Sequence, residues 1–275
     1  MRPSTTDTSI ILCSITLALT AALGCAASSG DEAASASPPR DDGRAVTDVA
    51  DELAAAVAQW HGSCDARGVH GLCLEVDTLT APGVGCGAPQ LGRIRVKPRT
   101  SAAADALDAI DDARAVAADV GTPDDAQDAA AMRTAIARGQ LVAVDAELET
   151  YLAIELPAEP EAFVSAFTRK RAAGEAITTA LAEFKHLDDP ALVGAAALRT
   201  GWVYTHLADA LEGLPVPPEF SGDARETYCR ELDSVSVAPL RAQARAVGQW
   251  CQRVAERPNW SGPELEACIA LAPGG

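Results

Sequence analysis

Two histidines and two cysteines fall within thirteen residues, as His61-x-x-Cys64 and His70-x-x-Cys73. Imidazole nitrogen and thiolate are the donors tetrahedral zinc prefers, so this segment has the composition of a metal site. The competing chemistry is oxidation, because an even set of cysteines in an exported chain reads as a disulfide framework. We adopt the disulfide reading, with no metal and no cofactor. Of the eight cysteines, Cys13 and Cys25 belong to the N-terminal segment, leaving Cys64, Cys73, Cys86, Cys229, Cys251 and Cys268. Cys251 and Cys268 lie about two helical turns either side of the Arg257–Ser261 turn, so two antiparallel helices would bring them together. That bridge would close a loop of 18 residues and contribute about 3 kcal/mol by loop entropy. The other four cysteines allow three pairings. Joining Cys229 to the N-terminal cluster leaves a second bridge among Cys64, Cys73 and Cys86.

The remaining reactive types carry less. Gly83-x-Gly85-x-Gly87 runs into Ala88-Pro89 rather than a helix, which makes it a loop and not a phosphate cradle. No zinc-protease helix motif or nucleophile elbow occurs, and His186 and His206 have no Ser or Cys at a recognisable catalytic spacing. Arg93, Arg95, Lys97 and Arg99 share one face of an extended segment. The expectation is a solvated edge that pairs with Asp105, Asp108, Asp111 and Asp112. Asn259-Trp260-Ser261 matches a glycosylation sequon, but the N-terminal motif described below implies a bacterial host, where the match carries no weight.

The elements that hold these residues are mainly helical. A first helix starts near Thr47, with Thr47 as cap, and shows Val49, Leu53, Val57 and Trp60 on one face. Between Cys64 and Pro98 the texture is Gly-rich and alternating. Leu72, Leu74 and Val76 form one strand and Ile94 and Val96 another, giving a small hairpin or irregular cap. Ser101 to Val120 is a helix with Leu107, Ile110 and Val116 inward. Thr122-Pro123-Asp124-Asp125 starts the next, with the Thr122 hydroxyl as cap, and it continues unbroken through Gly139 to Leu156. Glu161–Leu187 follows, with Phe163, Phe167, Ile177, Leu181 and Phe184 as its core face. Asp189–Leu214 comes next; small and aromatic residues spread around Ala197, Thr200, Gly201 and Tyr204 make it the hub. Shorter helices run from Asp223 to about Val235, Ala238 to Glu256, and Pro263 to Leu271 capped by Ser261. The fold class is all-α, with antiparallel helix pairs in a TPR-like or α-solenoid bundle and an irregular insert at 64–98.

Composition sets the partner classes. The formal net charge of −17 repels nucleic acid and anionic lipid, so no nucleic acid is expected as a partner. Ile10–Leu23 is apolar, too short to span a bilayer and preceded by Arg2, as in a secretory signal. It runs into Ala22-Leu23-Gly24-Cys25, which resembles a bacterial lipobox. Residues 1–24 are then a lipoprotein signal peptide, with lipid attachment at Cys25. Two or three acyl chains at about 0.8 kcal/mol per buried CH₂ anchor a chain permanently. Residues 25–43, rich in Ser, Pro and Asp, form a disordered tether, and 44–275 a single helical domain. Ala26 after the cysteine favours an outer-membrane address facing the periplasm.

From Tyr151 to Cys268 the run YLAIELP, then DDPALVGAAALRTGWVYTHLADAL, LPVPPEF, YCREL, APLRAQA and the spaced Cys251 and Cys268 resembles a known family. It is similar to the C-terminal region of tetratricopeptide-repeat envelope proteins of myxobacteria, some linked to adventurous gliding motility. Ala197-x-x-Thr200-Gly201-x-x-Tyr204 half-matches the first helix of such a repeat, although no 34-residue register recurs. The resemblance implies a helical scaffold in the cell envelope with no active-site residues. The expected function is a lipid-anchored, periplasm-facing, non-catalytic adaptor that binds another envelope protein. The alternative is a periplasmic enzyme, or a small-ligand or metal-binding protein, using the bundle interior or the His61/Cys64/His70/Cys73 segment.

Overall fold

Alanine and unbranched side chains favour helix, and Pro and Asp at helix starts punctuate it. The computed structural model describes residues 46–64, 68–77, 85–120 and 125–272, and these are mostly helical. The signal segment, Cys25 and the tether lie outside the described residues.

Helix α1 spans Val46–Gly62. Thr47 sits inside its first turn, not at the cap. Strands β1 (Leu74–Asp77) and β2 (Arg93–Val96) then form an antiparallel pair in the register Leu74↔Val96 to Asp77↔Arg93. Leu72 lies outside the strand, fully buried and bridged to Val69. A second bridge, Cys64↔Arg99, ties the end of α1 to the exit of β2.

Helix α2 is Ala102–Val120. Its buried face is alanine (Ala103, Ala106, Ala113, Ala117) around Ile110, whereas Leu107 and Val116 are only half-buried. Helix α3 runs unbroken over Ala126–Ala153, with the Asp125 carboxylate accepting from the N–H groups of Gln127 and Asp128. The cap is therefore Asp125, whose carboxylate two residues upstream of Gln127 reaches both orphan donors; Thr122, the expected cap, lies outside the described residues. Gly139 keeps α3 close to its neighbours: an added Cβ would stand 3.1 Å from both Ile110 and Leu53.

Helix α4 (Pro160–Ala182) carries the Glu159 side chain at its N-cap and tightens into a 3₁₀ turn over Glu183–His186. Helix α5 (Pro190–Glu212) is capped by Asp189. Helix α6 (Asp223–Leu232) passes through a π-turn, Asp233–Val237, into α7 (Ala238–Ala255). Helix α8 (Pro263–Ile269) starts at Gly262 with no side-chain cap, so Ser261 does not play that part. Gly262 has φ 156°, a conformation a residue with a Cβ rarely takes.

The core has two main parts. One gathers α1, α2 and the first half of α3 around Leu53, Trp60, Ile110 and Met132. The other gathers the rest of α3 with α4, α5, α7 and α8 around Leu148, Tyr151, Ile177, Leu181 and Leu198. At about 1.5 Å per residue α3 is roughly 42 Å long, enough to serve both. Sixteen of the 23 residues of α5 are buried, Ala197 and Gly201 among them, whereas Thr200 and Tyr204 are half-buried. Phe163 and Phe167 leave the main core; they stack on each other at 5.6 Å beside a smaller cluster around Leu207 and Leu211.

Candidate functional site

The six cysteines form three disulfides: Cys64–Cys73, Cys86–Cys229 and Cys251–Cys268. The first consumes both thiols of the His/Cys segment, so the zinc donor set does not exist there. The His61 ring lies against Gly71, and the His70 ring meets Trp202 edge-on at 6.0 Å. Among the described residues no group of three or more His, Cys, Asp or Glu is placed to hold a metal ion.

The chemistry of this fold lies in its interior, in charged groups. Asp145 and Glu149, one turn apart on α3, both face inward and are almost fully buried. Glu149 receives Arg99 through Nε (2.9 Å) and Nη2 (2.6 Å). It also accepts the Cys73 backbone N–H at 2.6 Å. The same guanidinium donates to the carbonyls of Trp60 and Gly71 and lies 3.8 Å over the Trp60 ring. Arg99 therefore leaves the exposed basic face expected of it and locks the hairpin, α1 and α3 together. Lys97 pairs with Glu75 across the sheet, not with the aspartates of α2.

One turn earlier, Arg199 of α5 grips Asp145 bidentately and donates to the His70 carbonyl at 2.8 Å. Burial raises the Asp145 carboxyl above the ordinary aspartate range, against the opposing pull of Arg199. A third cross-link joins α5 to α7, where Arg241 reaches Asp209 and also Glu212 (2.8 Å). Asp209 accepts the backbone N–H groups of Gln90 and Leu91, both at 2.9 Å. Gly85 lets this loop touch the backbone of α5, so that the Cys86 N–H donates to the Glu212 carbonyl at 2.8 Å.

The fourth group is a cation with no carboxylate partner among the described residues. Lys170, fully buried on α4, donates to the carbonyls of Tyr151 and Ile154, both at 2.8 Å, at the C-terminus of α3. It lies 4.3 Å from the centre of the Tyr151 ring. Two carbonyls and an aromatic face replace its water, yet burial still lowers its pKa to about 7. Tyr151 donates its hydroxyl to the Val203 carbonyl at 2.7 Å. His206 packs edge-on against Tyr151, and burial, then the Lys170 charge, lowers its pKa to about 3.

Arginine-neutralised carboxylates are poor proton acceptors, and Lys170 is closed to solvent. These groups hold elements in place. A groove of about 560 Å³ runs between α1 and α3, lined by Ala50, Ala54, Val57, Ala131 and Ala135, with Arg138 at its side. No described helix is long and apolar enough to cross a membrane. No family model, curated protein or solved structure matches the chain.

Sequence reading missed every one of these buried charges, although a signal was present. Lys170, Gly174, Ile177 and Leu181 fall at i, i+4, i+7 and i+11, and Asp145, Glu149 and Leu152 at i, i+4 and i+7. A charge in register with an apolar stripe is a buried charge.

Proposed function

We propose that the chain is a non-catalytic helical adaptor, held to the cell envelope by a lipid on Cys25 and facing the periplasm, which binds another envelope protein. The observation that carries this reading is the open groove between α1 and α3. Its lining of alanines lets the backbone of a partner helix approach closely, and an open apolar trough suits a protein segment better than an enclosed small molecule. The finer architecture belongs to the same proposal: antiparallel helix pairs of TPR-like or solenoid type, as the likeness to myxobacterial envelope proteins implies. It is supported by the packing of consecutive helices (α1 on α2, α3 on α4, α4 on α5) and of helices two apart, α1 on α3.

The test is capture of the chain, expressed with its own N-terminal segment, from detergent-solubilised envelopes. A protein should co-purify in proportion, and an Ala54→Arg/Ala131→Arg variant, which fills the groove with charge, should lose it. A bound small molecule with no protein partner would overturn the reading. A globomycin-sensitive shift in apparent size tests the anchor independently.

A further inference from the structure

Helix α7 carries three arginines and no carboxylate over 18 residues, in a chain whose net charge is −17. Arg241 is consumed by Asp209 and Glu212, whereas Arg253 is exposed and forms no ion pair among the described residues. Against α4 and α5, this helix forms a second groove of about 280 Å³. Leu181, Val193, Ala196 and Val247 make its apolar lining, with Trp250 half-buried beside them. Lys185, just beyond α4, lines the same groove; it too is exposed and without an ion pair among the described residues.

Two unpaired cations beside an apolar slot and an indole are complementary to one kind of ligand. The slot has room for one or two large side chains, and the cations call for carboxylates next to them. A basic segment would be drawn to the acidic remainder of the surface and repelled here. An anionic bilayer would be repelled by that remainder, since these cations are few and sit beside a recess. We propose that this groove docks an acidic segment of a partner protein, which seats a bulky apolar side chain against Trp250 and sets carboxylates on Lys185 and Arg253. The proposal rests on the adaptor reading in taking a protein as partner, but it uses a different groove. The two therefore fail separately: the Ala54→Arg/Ala131→Arg variant keeps this groove intact.

The experiment titrates the oxidised, ¹⁵N-labelled chain with three degenerate peptide libraries of equal length. Each centres on Phe or Leu and is flanked by acidic, basic or neutral polar positions. The acidic library should shift the Trp250 indole and the Thr200 and Ala246 amides, and the shifts should shrink as salt rises. In a Lys185→Glu/Arg253→Glu variant, whose thermal unfolding should match the parent because both side chains are exposed, acidic binding should fall about tenfold. The proposal is overturned if the acidic library leaves those signals in place, or if neutral or basic libraries bind the groove as well. It is overturned equally if anionic vesicles, and not the peptides, move the same resonances.

Discussion

Removing the Arg199 guanidinium should expose the logic of the interior most directly. Arg199→Met keeps most of the side-chain volume but strands Asp145, which is 1% exposed, with a charge and no counter-ion. Breaking one side of a buried pair costs about 3–5 kcal/mol, a large share of a stability of roughly 5–15. A double variant, Asp145→Leu/Arg199→Met, removes the stranded charge too. The His70 and Ala195 carbonyls then lose a donor, so the double variant should lose just about 1–3 kcal/mol. The assay is urea unfolding at neutral pH, followed by far-UV circular dichroism with the disulfides intact. The single variant carries a pH signature as well. The Asp145 carboxyl is already raised by burial, and without Arg199 the rise must be greater. A folded-state pKa above the unfolded value gives stability that is complete below the unfolded pKa and lost as pH climbs through the folded one. The deficit of Arg199→Met should therefore shrink on acidification, while that of the double variant should not. If the double variant falls by the sum of Arg199→Met and a separate Asp145→Leu, the two residues are not coupled and the reasoning is refuted.

Lys170 titrates in the opposite sense: its pKa of about 7 lies below the unfolded lysine value, so the parent should gain stability as pH rises from neutral toward about 10. Lys170→Met should flatten that rise, and chemical denaturation across the alkaline range reads the difference. His206, with a pKa of about 3, must stay neutral when folded, so stability should fall as pH drops from about 6.5 toward 3; His206→Phe should remove that part of the acid loss. Gly201→Leu should cost roughly 1–3 kcal/mol in thermal unfolding, because even a Cβ there overlaps the Leu271 side chain. Cys86→Ser/Cys229→Ser removes the bridge with the longest separation, 143 residues, and should cost about 5 kcal/mol by loop entropy, against about 3 for Cys64→Ser/Cys73→Ser.

Helix boundaries were legible where proline and a short acid coincide. Asp189-Pro190 gives a preset φ and a capping carboxylate, and α5 begins there; Glu159-Pro160 opens α4 in the same way, one residue ahead of the expected start at Glu161. The hairpin was legible from alternation, and the uninterrupted α3 from the lack of any turn residue beside Gly139. The faces were harder, because alanine serves equally well in core and at surface. On α2 it erases the contrast that periodicity needs, and the eye goes to Leu107 and Val116 while Ala106 and Ala113 carry the contact. In such a chain no contrast in side-chain size marks the inward face, so nothing flags Asp145, Glu149, Lys170 and Arg199 as buried. Arg169-Lys170-Arg171 looks like a solvated run; only the distance from Lys170 to Ile177 and Leu181 shows that the middle cation turns inward.

The same alanine-rich composition explains why the interior holds so many charges. Small side chains let helices approach but bury little apolar area each, at about 25 cal/mol per Å². They also interdigitate weakly, so one helix can slide past another with little loss. A bidentate arginine tolerates no such slide. Arg199 fixes α5 against α3 and the His70 loop, Arg99 fixes the hairpin against α3, and Arg241 fixes α7 against α5 while Asp209 holds the 90–91 loop. Each ion pair joins elements far apart in sequence, and each lies within a few residues of a disulfide or of the chain a disulfide holds. Buried pairs add little net stability over well-packed hydrophobic residues, but they specify register. Register also sets the two solvent-open grooves, because the shape of each is fixed by where its helices stop sliding.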